Sequence, residues 1–209
     1  MSDVLERIEQ GSDEWHELRL GKVTGSRIAD VMAGGKGITR DKYMAQLVAE
    51  RLTGKRSESY KSSAMEAGTE TEPTARNMYS FLENVKVEEV AFVDHPDIEM
   101  CGASPDGLVG DAGLVEFKCP LVHTHIKTLN DGKVPGNYYK QMQWQMDCTD
   151  REWCDYVSFS PEMPAQMQMF IRRVHRDDEL IEEIQEAVRE FLQELDTSVQ
   201  QLLKEYPRV

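Results

Sequence analysis

The sequence predicts an α/β (α+β) domain in which a central mixed β-sheet is flanked by helices. Three observations lead there. The chain has 209 residues and is 40% hydrophobic, which suits one domain with a buried core. Its apolar periodicity is helical in the first third and strand-like between 86 and 119. Helices, two more strands and one long helix follow, an order that lays helices over a sheet. We expect one domain over 1–209, with a core at about 9–175 and a C-terminal helix over 176–209.

Taken in order, Ser12 is a candidate N-cap, and Trp15, Leu18 and Arg19 form one stripe before Gly21. Residues 24–33 read as a second short helix ended by Gly34-Gly35. Thr39 opens a stronger helix carrying Tyr43, Leu47 and Leu52 and stopped by Gly54. Residues 55–63 are polar and read as a loop. Residues 63–84 are helical in pattern, but Pro73 lacks an N–H and is expected to kink or restart that helix. Residues 86–95 (KVEEVAFVDH) are rich in β-branched residues and predict a strand. Residues 99–103, 108–109 and 114–119 follow as short strands broken by Gly and Asp. Residues 122–130 make a modest helix, and 138–148 a better one entered through Pro135-Gly136. Residues 153–160 and 166–174 predict two strands split by Pro161 and Pro164. Residues 177–204 form a long amphipathic helix whose stripe is Ile181, Ile184, Val188, Phe191, Leu195, Val199 and Leu202.

Composition excludes several classes. No apolar run is long enough for a transmembrane helix, and residues 1–10 lack the apolar core of a signal peptide, so the expected location is the cytoplasm. The four cysteines, Cys101, Cys119, Cys148 and Cys154, form no C-x-x-C pair, which argues for reduced thiols rather than a zinc or iron–sulfur site. The net charge of -14 argues against a simple basic nucleic-acid binder. The charge is uneven, however. Residues 1–60 carry 10 acidic and 10 basic groups, whereas 61–100 carry 9 against 3 and 175–209 carry 10 against 4. A local basic surface remains open in the first 60 residues and around 118–140.

The informative stretch is SPDGLVGDAGLVEFK at 104–118, which reads as a β-hairpin. Glu116 and Lys118 are two apart and share one strand face. A three-residue loop at 111–113 puts Asp106 opposite Lys118 on that same face, while a two-residue loop puts it opposite Phe117 on the other. The first arrangement gathers two carboxylates and an amine, a donor set suited to a hard divalent cation. On spacing alone, an exposed hairpin with a chance ion pair explains the residues as well.

The wording of the hairpin, Pro105-Asp106 followed by Glu116-x-Lys118, resembles the PD-(D/E)xK nuclease signature. More of the chain resembles one branch of that superfamily, the phage lambda exonuclease or YqaJ-type viral recombinase family. The resemblance is carried by EQGSDEWHELRLG at 9–21 and by Thr24-Gly25-Ser26. GTETEPTAR at 68–76, CGASPDG at 101–107, LVEFKCP at 114–120 and YYKQMQW at 138–144 follow in the same order.

The resemblance implies a restriction-endonuclease-like core and a Mg²⁺-dependent 5′→3′ exonuclease acting on double-stranded DNA ends. Asp106, Glu116, Glu72 and the main-chain carbonyl of Phe117 would hold two Mg²⁺ ions, with Mn²⁺ also supporting activity, and Lys118 would activate the attacking water. Tyr138 and Gln141, three apart on one helix face, would touch the scissile strand. Arg19, Ser26 and Ser104 would receive the 5′-phosphate, a task that suits a guanidinium and two hydroxyls. Trp15 is expected in the core, and His16, His123, His125 and His175 are expected in solvent. The family also implies a homotrimeric ring around duplex DNA, a single-strand annealing protein as partner, and a phage or prophage origin in a bacterial host. The rival readings are another nuclease of the superfamily, whether an endonuclease or a CRISPR-associated cluster-binding exonuclease, and a DNA-end-binding subunit without catalysis. The cluster-binding kind needs cysteines this chain does not offer, and a non-catalytic subunit would be expected to have lost one of Asp106, Glu116 and Lys118.

Overall fold

The computed structural model describes residues 8–33, 38–57 and 63–207, leaving aside the side chains of 63–67 and 69. Ser12 caps helix α1 (Asp13–Leu18), its hydroxyl accepting from the Trp15 amide at 3.1 Å. The chain then makes the short strand β1 (Val23–Thr24), a 3₁₀ turn (Gly25–Arg27) and the brief helix α2 (Ile28–Val31). The expected helix at 24–33 is therefore shorter, because Thr24 pairs with Gly102 in a sheet, and its Gly34-Gly35 ending lies outside the described residues. Helix α3 (Ile38–Thr53) buries Tyr43, Leu47 and Val48 and stops before Gly54.

Helix α4 (Ser63–Glu83) continues through Pro73 and does not restart there. Pro73 sits on the exposed face, where its ring meets solvent and one missing hydrogen bond is tolerated. The expected strand at 86–95 divides in two, β2 (Val87–Glu88) and β3 (Val93–Asp94), which join different sheets. The cause is local. The carbonyl of Val90 accepts from Gln10 and that of Ala91 from the Trp15 indole, so neither serves a strand ladder. There follow β4 (Cys101–Ala103), β5 (Gly107–Val109), β6 (Gly113–Lys118), α5 (Val122–Asp131), α6 (Gly136–Thr149), β7 (Trp153–Phe159), β8 (Met169–His175) and α7 (Asp178–Glu205).

Five strands form a mixed sheet in the order β2-β5-β6-β7-β8, with only β6 and β7 parallel. A three-stranded sheet, β1-β4-β3, stands beside it. Alternation along β6 and β7 sends Val115, Phe117, Val157 and Phe159 toward Ala75 and Tyr79 of α4. Leu114, Cys154 and Tyr156 face the other way, onto Met142 and Met146 of α6. A third cluster joins α2, α3 and α7 through Ile28, Tyr43, Leu47, Ile184, Val188 and Phe191, with Trp144 of α6 at its edge. Helix α6 thus touches two clusters, and it covers the sheet face that carries the even-numbered residues of β6. His125 departs from its expected solvation. It is buried, bonded to Ser158 Oγ and the Met167 carbonyl, each at 2.8 Å.

Candidate active site

The hairpin turns at Gly110–Ala112, one residue earlier than expected, and Val109 pairs with Gly113. Gly110 takes the left-handed conformation (φ 55°), whereas Gly113 lies in the strand beneath Trp153. A Cβ on Gly113 would stand 2.1 Å from the Trp153 ring, so the indole fixes which glycine turns. Each partner on β6 therefore shifts by two residues, and continuing that register puts Asp106 opposite Glu116 rather than Lys118. A shift of two keeps the face, so Asp106, Glu116 and Lys118 still converge.

Glu116 is fully buried. Its Oε1 accepts from Gln141 Nε2 at 2.6 Å and from Lys118 Nζ, and its Oε2 accepts from Gln145 Nε2 at 2.6 Å. Gln141 and Gln145 are one helical turn apart on α6, so both amides reach one carboxylate. Gln145 was not singled out from the sequence as a site residue, although its i, i+4 spacing from Gln141 carried the signal. Asp106 Oδ2 accepts from the Phe117 amide at 2.7 Å, which ties the two strands of the hairpin at the site. Tyr138 lies under the lysine, its ring centroid 5.1 Å from Lys118 Nζ, and stacks on Tyr156. Helix α4 brings Glu72 to the end of β6 from the opposite side, where Arg76 donates to it at 3.0 Å.

The electrostatics follow from this crowding. Burial, then the charges of Glu116 and Glu72, push the Asp106 carboxyl well above the usual carboxylate range. Burial also raises Glu72, against the pull of Arg76 and Lys118. Burial opposes the charge on Lys118, but Glu116 and Asp106 outweigh it and hold the ammonium protonated. Three carboxyl groups thus share one lysine. Among the described residues no three of His, Cys, Asp and Glu stand close enough to form a ready-made metal cage. An all-oxygen donor set with excess negative charge nevertheless fits a divalent cation that keeps several waters.

A second cluster lies two residues upstream. Arg19 Nη1 donates to Ser104 Oγ at 2.8 Å, and the guanidinium lies 3.9 Å over the Trp15 ring. The Trp15 indole donates to the same hydroxyl at 3.1 Å. Trp15 is therefore half-buried and part of this pocket rather than of the core. Burial, aided by the charge of Arg56, lowers the Arg19 pKa to about 10. Ser26 is exposed in the turn after β1, and its neighbour Gly25 lies against Ala103, the residue before Ser104. The structure therefore joins Arg19 to Ser104, and places Ser26 in an exposed turn whose Gly25 packs against Ala103. Gln10 braces the junction of the two clusters by donating to the Pro105 carbonyl at 2.8 Å.

A mixed sheet flanked by helices, with a carboxylate-bearing hairpin at one edge of α6, has the architecture of a DNA nuclease. The profile of the YqaJ-like viral recombinase domain matches residues 14–152, and the chain belongs to that family. An alkaline exonuclease (LHK-Exo) from Laribacter hongkongensis is 49% identical, with a TM-score of 0.88 over 93% of this chain and 97% of that one. The crystal structure of LHK-Exo in complex with dAMP matches at 50% identity and a TM-score of 0.89, over the same shares of both chains. A phage-related exonuclease from Haemophilus somnus shares the fold at 16% identity, with a TM-score of 0.71 over 87% of this chain and 96% of that one. An uncharacterized protein of Acanthamoeba polyphaga mimivirus is 26% identical over 175 residues, 74% of this chain. The chain spans 30% of the length of that viral relative.

Proposed function

We propose that the chain is a Mg²⁺-dependent 5′→3′ exonuclease that digests the 5′-ended strand of double-stranded DNA to mononucleotides. The remaining 3′ overhang would serve a single-strand annealing protein in recombination. The observation that carries this reading is adjacency. Ser104 of the Arg19–Ser104 pocket and Asp106 of the Asp106–Glu116–Lys118 cluster are two residues apart in the chain, so their Cα atoms are at most about 7 Å apart. A terminal phosphate held at one is within a nucleotide's reach of a phosphodiester at the other.

In this reading Asp106, Glu116, Glu72 and the Phe117 carbonyl hold the cations, with Mn²⁺ able to replace Mg²⁺. Bound there, divalent cations polarise the phosphodiester and acidify a water. Gln141 and Gln145 keep Glu116 aimed at the site from behind. Lys118 is held protonated by Glu116 and Asp106. Only after its own proton has passed to solvent would the neutral Lys118 amine accept the proton of the attacking water. Tyr138 supports the lysine and would touch the scissile strand, with Gln141 reaching that strand beside the carboxylate it holds. Arg19, Ser26 and Ser104 receive the 5′-phosphate through charge-assisted hydrogen bonds. The dAMP in the LHK-Exo crystal is a nucleoside monophosphate, which agrees with mononucleotide release.

We read the chain as one nuclease domain acting in the cytoplasm of a bacterial host, of phage or prophage origin, and assembling as a ring-shaped homotrimer. No described helix is long and apolar enough to cross a membrane. The test is digestion of a linear duplex labelled at one 5′ end, with or without a 5′-phosphate, in Mg²⁺. Mononucleotide should appear first from the labelled strand, and faster from phosphorylated ends. Release from the 3′ end, or internal nicking of circular duplex at a similar rate, would overturn the reading.

A further inference from the structure

Arg19 has unusual company for a buried cation. Its described partners are a hydroxyl, Ser104 Oγ, and the faces of Trp15 and Phe92, and it forms no ion pair with a carboxylate among the described residues. A guanidinium left in this state is ready for an anion.

The turn that follows Arg19 is gripped by two consecutive residues of α3. Glu50 Oε2 accepts from the Gly21 amide at 3.0 Å, and Arg51 Nε donates to the Gly21 carbonyl at 2.9 Å. Gly21 has φ +69°, and a Cβ there would stand 3.0 Å from Arg51 Cγ, so the turn accepts only glycine without strain. The other oxygen of the same buried carboxylate, Glu50 Oε1, accepts from the Ser57 amide at 3.3 Å and from Gln46 at 3.0 Å. One side chain thus ties the Arg19 turn to the segment that leaves α3. Arg51 is anchored in turn to Asp196 of α7.

Arg56 is the residue before Ser57. It is exposed, forms no ion pair among the described residues, and its positive charge is felt at Arg19. We propose that Arg56, set beside Arg19 by the Glu50 clamp, is a second cation of the terminal-phosphate pocket, and that the pair sets the preference for 5′-phosphorylated ends. The charge of the ligand supports two cations. A phosphate monoester carries about -1.5 to -2 near neutral pH, where an internal diester carries one charge. Arg19 alone offsets about one of the monoester's charges, and a second guanidinium offsets the rest and so enlarges the preference. Glu50 acts as a positioning residue through the two amides it holds.

This inference rests on Arg19 marking the terminal-phosphate pocket, and the experiment separates the two. The measurement is the ratio of single-turnover rates on 5′-phosphorylated and 5′-hydroxyl duplex ends, for wild type, Arg56→Ala, Arg56→Lys, Arg19→Ala and the double alanine variant. Arg56 is exposed, so its variants should melt with the wild type. Arg56→Ala should lower the ratio about 10-fold, the scale of one charge-assisted contact at a partly exposed site, and Arg56→Lys should retain most of it. In the Arg19→Ala background the effect of Arg56→Ala should shrink, because both act on one phosphate. A ratio that collapses in Arg19→Ala but is unchanged in Arg56→Ala overturns the proposal and leaves the pocket standing. Equal slowing of both substrates by Arg56→Ala also overturns it, since that marks a general DNA contact. A wild type without preference, or an Arg19→Ala ratio equal to wild type, removes the pocket and the proposal with it.

Discussion

Gln145→Leu is the sharpest probe of the candidate site, because the two oxygens of Glu116 are unequally supplied. Oε1 has two donors, Gln141 and Lys118, while Oε2 has Gln145. Leucine has similar bulk and donates nothing, so the buried Oε2 loses its described donor. A lost hydrogen bond to a charged acceptor costs about 1.5–3 kcal/mol. Stability should fall by less than that. Gln145 Oε1 is itself buried with no partner among the described residues, and its removal returns about 1 kcal/mol. The net change in folding stability is then about 0.5–2 kcal/mol, or a melting point lower by roughly 1–8 °C for a chain of this size. Catalysis has no such compensation. If the carboxylate is misaimed by the full loss, turnover should drop about 10- to 150-fold at saturating Mg²⁺. The assay pairs single-turnover digestion with a thermal melt in the absence of divalent cations. A wild-type rate would show that Gln145 does not hold Glu116 for chemistry, and a rate loss no larger than the unfolded fraction would reduce its role to folding.

Lys118→Ala should slow single-turnover cleavage by about 10²-fold or more while duplex binding in Ca²⁺ persists, as expected on removing a placed proton acceptor. An unaltered rate would make Lys118 a bystander. Gly113→Ala drives a methyl into the Trp153 ring and should destabilise the chain by about 1–3 kcal/mol in a denaturant melt, whereas Gly113→Ala combined with Trp153→Val should recover part of that loss. Failure of the second change to help would mean that the indole does not set the turn. Burial disfavours the charge on Asp147, but hydrogen bonds from His95, Gln185 and Arg176 outweigh it and hold its carboxyl below the usual range. A depressed folded-state pKa stabilises above the ordinary carboxylate pKa and is lost as pH falls through the folded value. The stability gap between wild type and Asp147→Asn should therefore be about 3–5 kcal/mol near neutrality and narrow below about pH 4. A gap independent of pH would contradict the assignment.

Much of the fold was legible because it is written locally. The Ser12 cap, the α3 stripe and the long α7 stripe each depend on residues within a few turns. The hairpin of the candidate site was legible for a different reason. Side chains alternate with period two, so Asp106, Glu116 and Lys118 share a face under any loop that changes the register by an even number. The turn itself was not legible. Gly110 and Gly113 are equally good turn residues, and the choice is made by Trp153, which is forty residues away. The division of 86–95 was hidden likewise, since the carbonyls of Val90 and Ala91 are claimed by Gln10 and Trp15 from the other end of the fold. His125 looked solvated because its partners, Ser158 and the Met167 carbonyl, lie on segments that only folding brings near.

The net charge of -14 becomes consistent with a DNA-end enzyme once the charges are placed. Helix α7 turns Ile181, Ile184, Val188, Phe191 and Leu195 inward, so Glu182, Glu183, Glu186, Glu190 and Glu194 are exposed on its outer side. Their repulsion toward DNA is felt over about 8 Å at physiological salt, not across the molecule. The region around Arg19 differs in kind. Its segment of sequence is balanced in charge, Lys22 and Arg27 near the turn are paired with Asp94 and Asp30, and the groups that touch the Arg19 guanidinium are aromatic and hydroxylic rather than acidic. On the proposed function, a duplex end would meet repulsion over the α7 face and attraction at the Arg19 pocket. Uneven fields of this kind orient an approaching polyanion before any contact forms. On the proposed function, acidic composition would limit where DNA docks, and Arg19 with Arg56 would select which part of it.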